Sequence, residues 1–280
     1  MYDHVIITCG ISIFAQSNSI GKWTRNNTTY FDFDRLNPLI KDDRDQDEVI
    51  DEWFNEMKVH FTEPSEDPEH ISAEYSVLHA MRKTGKLEES SLRITLLHTD
   101  SIGGKAGALA LKYLLEMDLG AEVLNVKLNP FDFHDKQSVN RDLAAFMKRI
   151  SDLLDQSDAS RTSFAPVGGY KLITAFGSIV AGIHGYPTAY INEDVQILHE
   201  IPPLPIQFPK EPDQALRNDI AALSQAGIME KEEASAALLT FSMDYPHLFE
   251  QDEELLMPNP LGLFVFGKYL RLRERWDESG

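Results

Sequence analysis

Two hydrophobic rhythms alternate along the first two hundred residues. Short β-branched or leucine-rich runs at 4–8 (HVIIT), 92–98 (LRITLLH), 121–128, 162–165 (TSFA) and 188–191 predict strands. Between them, apolar residues recur at steps of three and four, which predicts helices. One such stretch runs through Val49, Ile50, Trp53, Phe54 and Met57 of residues 47–59, and others cover 71–83, 105–117 and 171–184. The clearest is residues 139–154, where Val139, Leu143, Phe146, Met147, Ile150 and Leu154 share one face. Residues 15–45 are polar and rich in Asn and Asp, and read as a long loop or lid; residues 62–70 and 129–135 read as loops.

Strands alternating with helices imply an α/β fold, a doubly wound and mostly parallel sheet with ligand sites at the carboxyl ends of its strands. Three strand-to-turn corners then fall on one edge: Thr8-Cys9-Gly10-Ile11-Ser12, Thr99-Asp100-Ser101, and the Ala165-to-Lys171 stretch APVGGYK. From residue 201 the texture changes, with five prolines in the twelve residues IPPLPIQFPKEP, which reads as an extended linker. Beyond it, residues 214–225, 231–245 and 261–273 predict three helices of a winged-helix or helical-bundle type. The expected division is therefore 1–205 for the α/β domain and 206–280 for a small helical unit.

Charge narrows the function classes. The 280-residue chain has 45 acidic and 26 basic residues, a formal charge of −19. Such a surface repels long nucleic acids, whose binding depends on basic patches, so an anionic ligand must be held by helix ends and a few placed cations. The tail, residues 206–280, is acidic overall, although Lys268, Arg271, Arg273 and Arg275 give its last helix one basic face. The single cysteine, Cys9, permits no internal disulfide and fits a reducing compartment. No signal-peptide pattern opens the chain, and its longest apolar stretches are broken by Gly, His or charge. The expectation is a soluble cytoplasmic protein.

Each corner admits a structural and a functional reading. Thr8 to Ser12 is either a strand end with a glycine turn, or a hydroxyl and free amides aimed at a ligand. Cys9 lacks an evident histidine to activate it as a nucleophile. Asp100 is a helix N-cap, or else orients a ligand hydroxyl or a nearby cation. Gly168, Gly169 and Lys171 match neither a P-loop nor a dinucleotide fingerprint, because the glycine spacing differs and Leu172 follows the lysine. Yet a lysine in the first turn of an apolar helix opposes the helix dipole unless an anion compensates it. Arg93 and His98 have the R-x4-H spacing of a helical ribonuclease motif, but they bracket an apolar strand. His134 and Asp135 have no partners at metal-ligand spacing, and no cysteine pair exists for zinc.

Together, IITCGISIF, LLHTDS, APVGGYKLITAFGSIVAGIHGYPTAYINED and LHEIPPLPI stand in the order that resembles CRISPR-associated CARF proteins. The likeness is to the subgroup of standalone ring nucleases and sensor halves of type III effectors, over about residues 4–206. It implies a Rossmann-like fold and a homodimer that binds cyclic oligoadenylate, with the tetra-adenylate (cA4) as the expected ring. It also implies metal-independent cleavage of that RNA ring, with no cofactor, as part of antiviral defence. By the same likeness, Ser12 contacts the ligand near the scissile ribose and Lys171 contacts the phosphate, and these two are the catalytic pair. Thr8, Gly10, Ile11, Thr99, Asp100, Ser101, Gly168, Gly169 and Tyr170 are then the ligand-binding set. Two departures bear on ring size and rate: Ile11 stands where a small hydroxyl residue is common, and Ala165 where Asn is common. The alternative is a non-catalytic sensor that acts on a partner or on DNA through residues 206–280.

Overall fold

The computed structural model describes residues 1–15, 45–58, 71–129, 136–169, 171–192, 197–203, 212–250 and 252–277. They fall into two compact units, Met1–Pro130 with Ser151–Pro205, and Phe131–Ile150 with Ile206–Gly280. The 15–45 lid segment, the 62–70 loop, Tyr170, and the His134 and Asp135 pair lie outside the described residues, apart from Ala15 and Asp45 at the ends of the first.

The first unit is built on a six-stranded sheet in the order β3-β2-β1-β4-β5-β6. Its strands are β1 (His4–Cys9), β2 (Arg93–Thr99), β3 (Glu122–Leu128), β4 (Thr162–Ala165), β5 (Thr188–Asn192) and β6 (Ile197–Ile201). The first five run parallel, and β6 returns antiparallel along the edge. The helices are α1 (Ser12–Ala15), α2 (Gln46–Lys58), α3 (Ala73–Lys83), α4 (Ile102–Leu119), α5 (Lys136–Leu154), which crosses the division between the units, and α6 (Lys171–Ile183).

Strand composition follows position in the sheet. Central β1 and β2 are buried along nearly their whole length, because a parallel strand covered on both faces must be apolar on both. Val5 lies in register with Ile94, and Ile94 with Val123, forming one row of the core cluster. Their alternates Ile6, Leu97 and Phe164 are equally buried and face the other side of the sheet. Toward the edge, β3 is exposed at most positions and buried only at Val123 and Leu128, and the half-buried β6 alternates exposed and less exposed positions. Strand β6 contains the LHEI stretch that precedes the prolines and was not among the predicted strands. Its period-2 pattern, exposed Ile197, His199 and Ile201 between less exposed Leu198 and Glu200, is visible only once β5 supplies its partner.

Helix boundaries follow their caps. Ser72, fully buried, accepts a hydrogen bond from the Tyr75 amide and starts α3 two residues later than periodicity predicts. Ser101 caps α4 by accepting from the Gly104 amide at 3.1 Å, and Gly120, in the left-handed region at φ 60°, ends it. Asp100 is therefore not the N-cap of that helix.

The described part of the second unit contains α7 (Gln214–Ala226), α8 (Ala236–Asp244) and α9 (Pro260–Asp277). A two-stranded ribbon pairs β7 (Met229–Glu230) with β8 (Leu255–Leu256). A turn at 231–234, which follows the first strand of the ribbon, takes the residues that periodicity assigned to the start of the middle helix. Ser235 then caps α8 at the Leu238 amide, so the helix begins at Ala236 rather than 231.

One half-buried histidine gives the fold a pH response. His4 shares a hydrogen bond between its Nε2 and the Thr95 hydroxyl at 2.9 Å. Burial, helped by the Arg93 charge and opposed by Asp3, lowers its pKa from 6.5 to about 4. Since the folded state disfavours the proton, the unfolded chain binds more protons between those values and stability rises with pH there. We expect the His4 contribution to be complete above pH 6.5 and to fade as pH falls toward 4. Urea midpoints measured across that range, compared with His4→Gln, check this: the variant should show a shallower decline.

Candidate functional site at the strand ends

Strand order brings the three corners together. Strand β1 lies between β2 and β4, so the carboxyl ends of all three are neighbours at the point where the chain switches from one side of β1 to the other. Cys9 is in register with His98, and Ile7 with Ala165.

The first and third corners are stitched by backbone. The Gly168 amide donates to the Thr8 carbonyl at 3.1 Å and lies 3.2 Å from the Thr8 hydroxyl oxygen. Thr8 is buried and works as a strut rather than as a surface hydroxyl. The glycines are required by proximity. A Cβ on Gly10 would sit 2.4 Å from the Gly169 nitrogen, and one on Gly168 would sit 2.5 Å from the Thr8 oxygen. Gly169 also has φ +92°, a conformation that side chains rarely adopt. Exposed Gly169 and exposed Lys171 then stand at the open end of this turn, and the first turn of α6 holds no acidic side chain. Ile11 is 52% exposed beside the turn.

Beneath the first corner lies a residue that sequence reasoning missed. Glu74, in the first turn of α3, is fully buried. Its Oε1 accepts the Gly10 amide at 2.7 Å and its Oε2 accepts the Ser12 hydroxyl at 2.6 Å. Ser12 in turn accepts the Ala73 amide at 3.2 Å. The hydroxyl proton of Ser12 is thus committed inward, and what Ser12 offers outward is an acceptor. The signal for Glu74 was available: it lies three, four and seven residues before Val77, Leu78 and Met81, an acid on the apolar stripe of its helix. Cys9, next to this carboxylate, is buried, and burial followed by the Glu74 charge pushes its thiol well above the usual range, which makes it inert.

The second corner is a charge cluster. Lys105 Nζ lies 3.0 Å from Asp100 Oδ1 and 2.6 Å from Asp47 Oδ1, and Lys127 Nζ lies 3.2 Å from Asp100 Oδ2. The Lys105 contact to Oδ1 is an ion pair by distance, outside hydrogen-bond alignment for that buried oxygen. The two lysines, Lys105 first, hold the Asp100 carboxyl below its ordinary range. Asp100 thus pairs with two cations and does not cap α4. Thr99 and Ser101 share a hydroxyl–hydroxyl hydrogen bond at 2.9 Å at the same exposed corner.

A different constellation has catalytic geometry without access. Ser151 Oγ is 2.8 Å from His184 Nε2, and His184 Nδ1 is 3.0 Å from Asp155 Oδ1. Ser151 is 0% exposed, and a nucleophile must reach a reacting atom. The trio ties the end of α5 to the end of α6.

Residues 69–204 match the family model described as CRISPR-associated protein (Cas_APE2256). The match covers β2 to β6, and hence the second and third corners of the sheet. Among solved structures, that of Can2 from Sulfobacillus thermosulfidooxidans in complex with cyclic tetra-adenylate is similar at 12% identity, with a TM-score of 0.30, over 64% of this chain. The match spans 56% of that protein. No curated protein matches the sequence. Among the described residues, no helix is long and apolar enough to cross a membrane.

Proposed function

We propose that the α/β unit binds a cyclic oligoadenylate, the tetra-adenylate ring, at its strand ends and across a homodimer axis, and cleaves it as a ring nuclease. The observation that carries the reading is the convergence of three strand ends on a glycine turn that ends in exposed Lys171. A small polyanion suits a protein of charge −19, because a two-fold dimer repeats each lysine around the ring while the rest of the surface repels longer RNA.

The substrate brings its own nucleophile. In a cyclic RNA, each ribose 2′-oxygen can attack the adjacent phosphorus in line with the 5′-oxygen, which leaves as the 2′,3′-cyclic phosphate forms. The protein then has two tasks, alignment and stabilisation of the charge that builds on the phosphate oxygens. Lys171 and the Gly169 amide are donors of the right kind, and no metal ion enters the step. Cleavage would end a type III CRISPR response by removing its messenger in the cytoplasm.

The second reading, a sensor that leaves the ring intact, draws on a groove of about 710 Å³ in the second unit. Its lining mixes Leu239, Pro246, Phe249 and Leu256 with Lys231, Glu250, Asp252 and Glu253, and Met243 is 71% exposed at its side, a mixed surface open to a partner. Incubating the protein with cyclic tetra- and hexa-adenylate in EDTA and separating the products by chromatography tests both. Linear fragments with cyclic phosphate ends support the nuclease, tight binding with an intact ring favours the sensor, and no binding to either ring removes the CARF reading.

A further inference from the structure

A serine hydroxyl has one proton and two lone pairs. In Ser12 the proton goes to Glu74 Oε2 and one lone pair takes the Ala73 amide. One lone pair is left, on a half-buried side chain at the end of β1. The inner partner is locked: Glu74 is fully buried, its other oxygen is held by the Gly10 amide, and a Cβ on Gly168 would lie 2.0 Å from it. A carboxylate accepts and does not donate, so Ser12 cannot turn its proton outward without leaving Glu74 Oε2 unpaired in the interior.

We infer that Glu74 is a positioning residue that fixes Ser12 as a hydrogen-bond acceptor, and that this acceptor reads a ribose 2′-hydroxyl of the bound ring. The inference rests on the proposed ring-binding function and deepens it. A phosphate oxygen, which only accepts, finds nothing at Ser12, whereas a ribose hydroxyl can donate to it. A 2′-hydroxyl is the group that separates RNA from DNA. Ser12 then selects a ribose ring against a deoxyribose ring, and phosphate contacts fall to the Gly169 and Lys171 side of the site.

Glu74→Gln tests the polarity while keeping the shape. The glutamine oxygen can still accept the Gly10 amide, but its nitrogen now donates to Ser12. Both Ser12 lone pairs are then occupied, and its proton turns outward. The probes are cyclic tetra-adenylate and its all-2′-deoxy counterpart, titrated calorimetrically into the full chain.

The wild type should bind the ribose ring about tenfold more tightly than the deoxy ring, the worth of one hydrogen bond. Ser12→Ala should bring that ratio close to one without altering the carboxylate, and Glu74→Gln should lower it, because the outward Ser12 proton can then serve a phosphate oxygen of either ring. A purely structural role for Glu74 would weaken both rings equally and leave the ratio at its wild-type value, and that result overturns the inference. Equal binding of the two rings by the wild type overturns it as well. Failure of the wild type to bind either ring overturns the proposed function itself, and the inference with it, before any variant is compared.

Discussion

Lys171→Ala should slow ring cleavage by about 10²- to 10³-fold, the usual cost of deleting one donor to a developing oxyanion. The lysine is exposed in the first turn of α6, so its truncation removes no core contact and fills no cavity. Stability should stay the same or rise slightly, since a cation at a helix N-terminus opposes the dipole. That combination separates function from folding: a residue kept for structure would lose melting temperature before activity. Single-turnover cleavage of cyclic tetra-adenylate at saturating protein measures the chemical step, and calorimetric affinity measures the ground state. If Lys171 acts mainly as the charge builds, the rate falls far more than the affinity. A parallel fall in both would assign the lysine to uniform phosphate binding. An unchanged rate would remove it from the mechanism.

The central architecture was legible because parallel strands buried on both faces leave short continuous apolar runs, and β1 and β2 carry that mark. The corners were legible for the same reason: a strand that stops on Gly, Ser or Asp is visible without knowing its neighbours. What the sequence hid depends on partners distant along the chain. Strand β6 is an edge strand that takes its identity from β5, and the ribbon of β7 and β8 joins residues 229–230 to 255–256. Glu74 stands out as an acid on the apolar stripe of its helix, but its partners are unknown until β1 delivers Gly10 and Ser12 to its two oxygens. The hydroxyls were the harder case. Sequence named Thr8 and Ser12 as groups aimed at a ligand, but burial turns Thr8 into a strut and hydrogen bonding gives Ser12 a polarity that composition cannot reveal.

Gly168→Ala should be the most destabilising single substitution at the site, by about 3 kcal/mol or more, at the upper end of what overpacking costs. Its added Cβ would lie 2.0 Å from Glu74 Oε1, 2.5 Å from the Thr8 carbonyl oxygen and 2.7 Å from the Gly10 amide nitrogen. Two of those three atoms are backbone at the end of a central strand and cannot swing away as a side-chain tip would. Relief requires β1 to part from the third corner, which breaks the Gly168 hydrogen bond to Thr8 and disturbs the Gly10 bond to Glu74. A melting temperature lower by roughly 6 °C or more follows from that energy for a chain of this size. Gly185→Ala supplies the control, since its φ is +79° but its Cβ meets nothing within 4 Å, so only the backbone conformation is penalised, at about 1 kcal/mol. A second variant tells which neighbour matters. Glu74→Ala in the Gly168→Ala background removes the nearest clash and leaves the two backbone ones, so it should recover little stability if the strand end is the rigid element. Substantial recovery would instead mark the carboxylate as the element that holds Gly168, and the two corners would then be joined through Glu74 more than through the backbone.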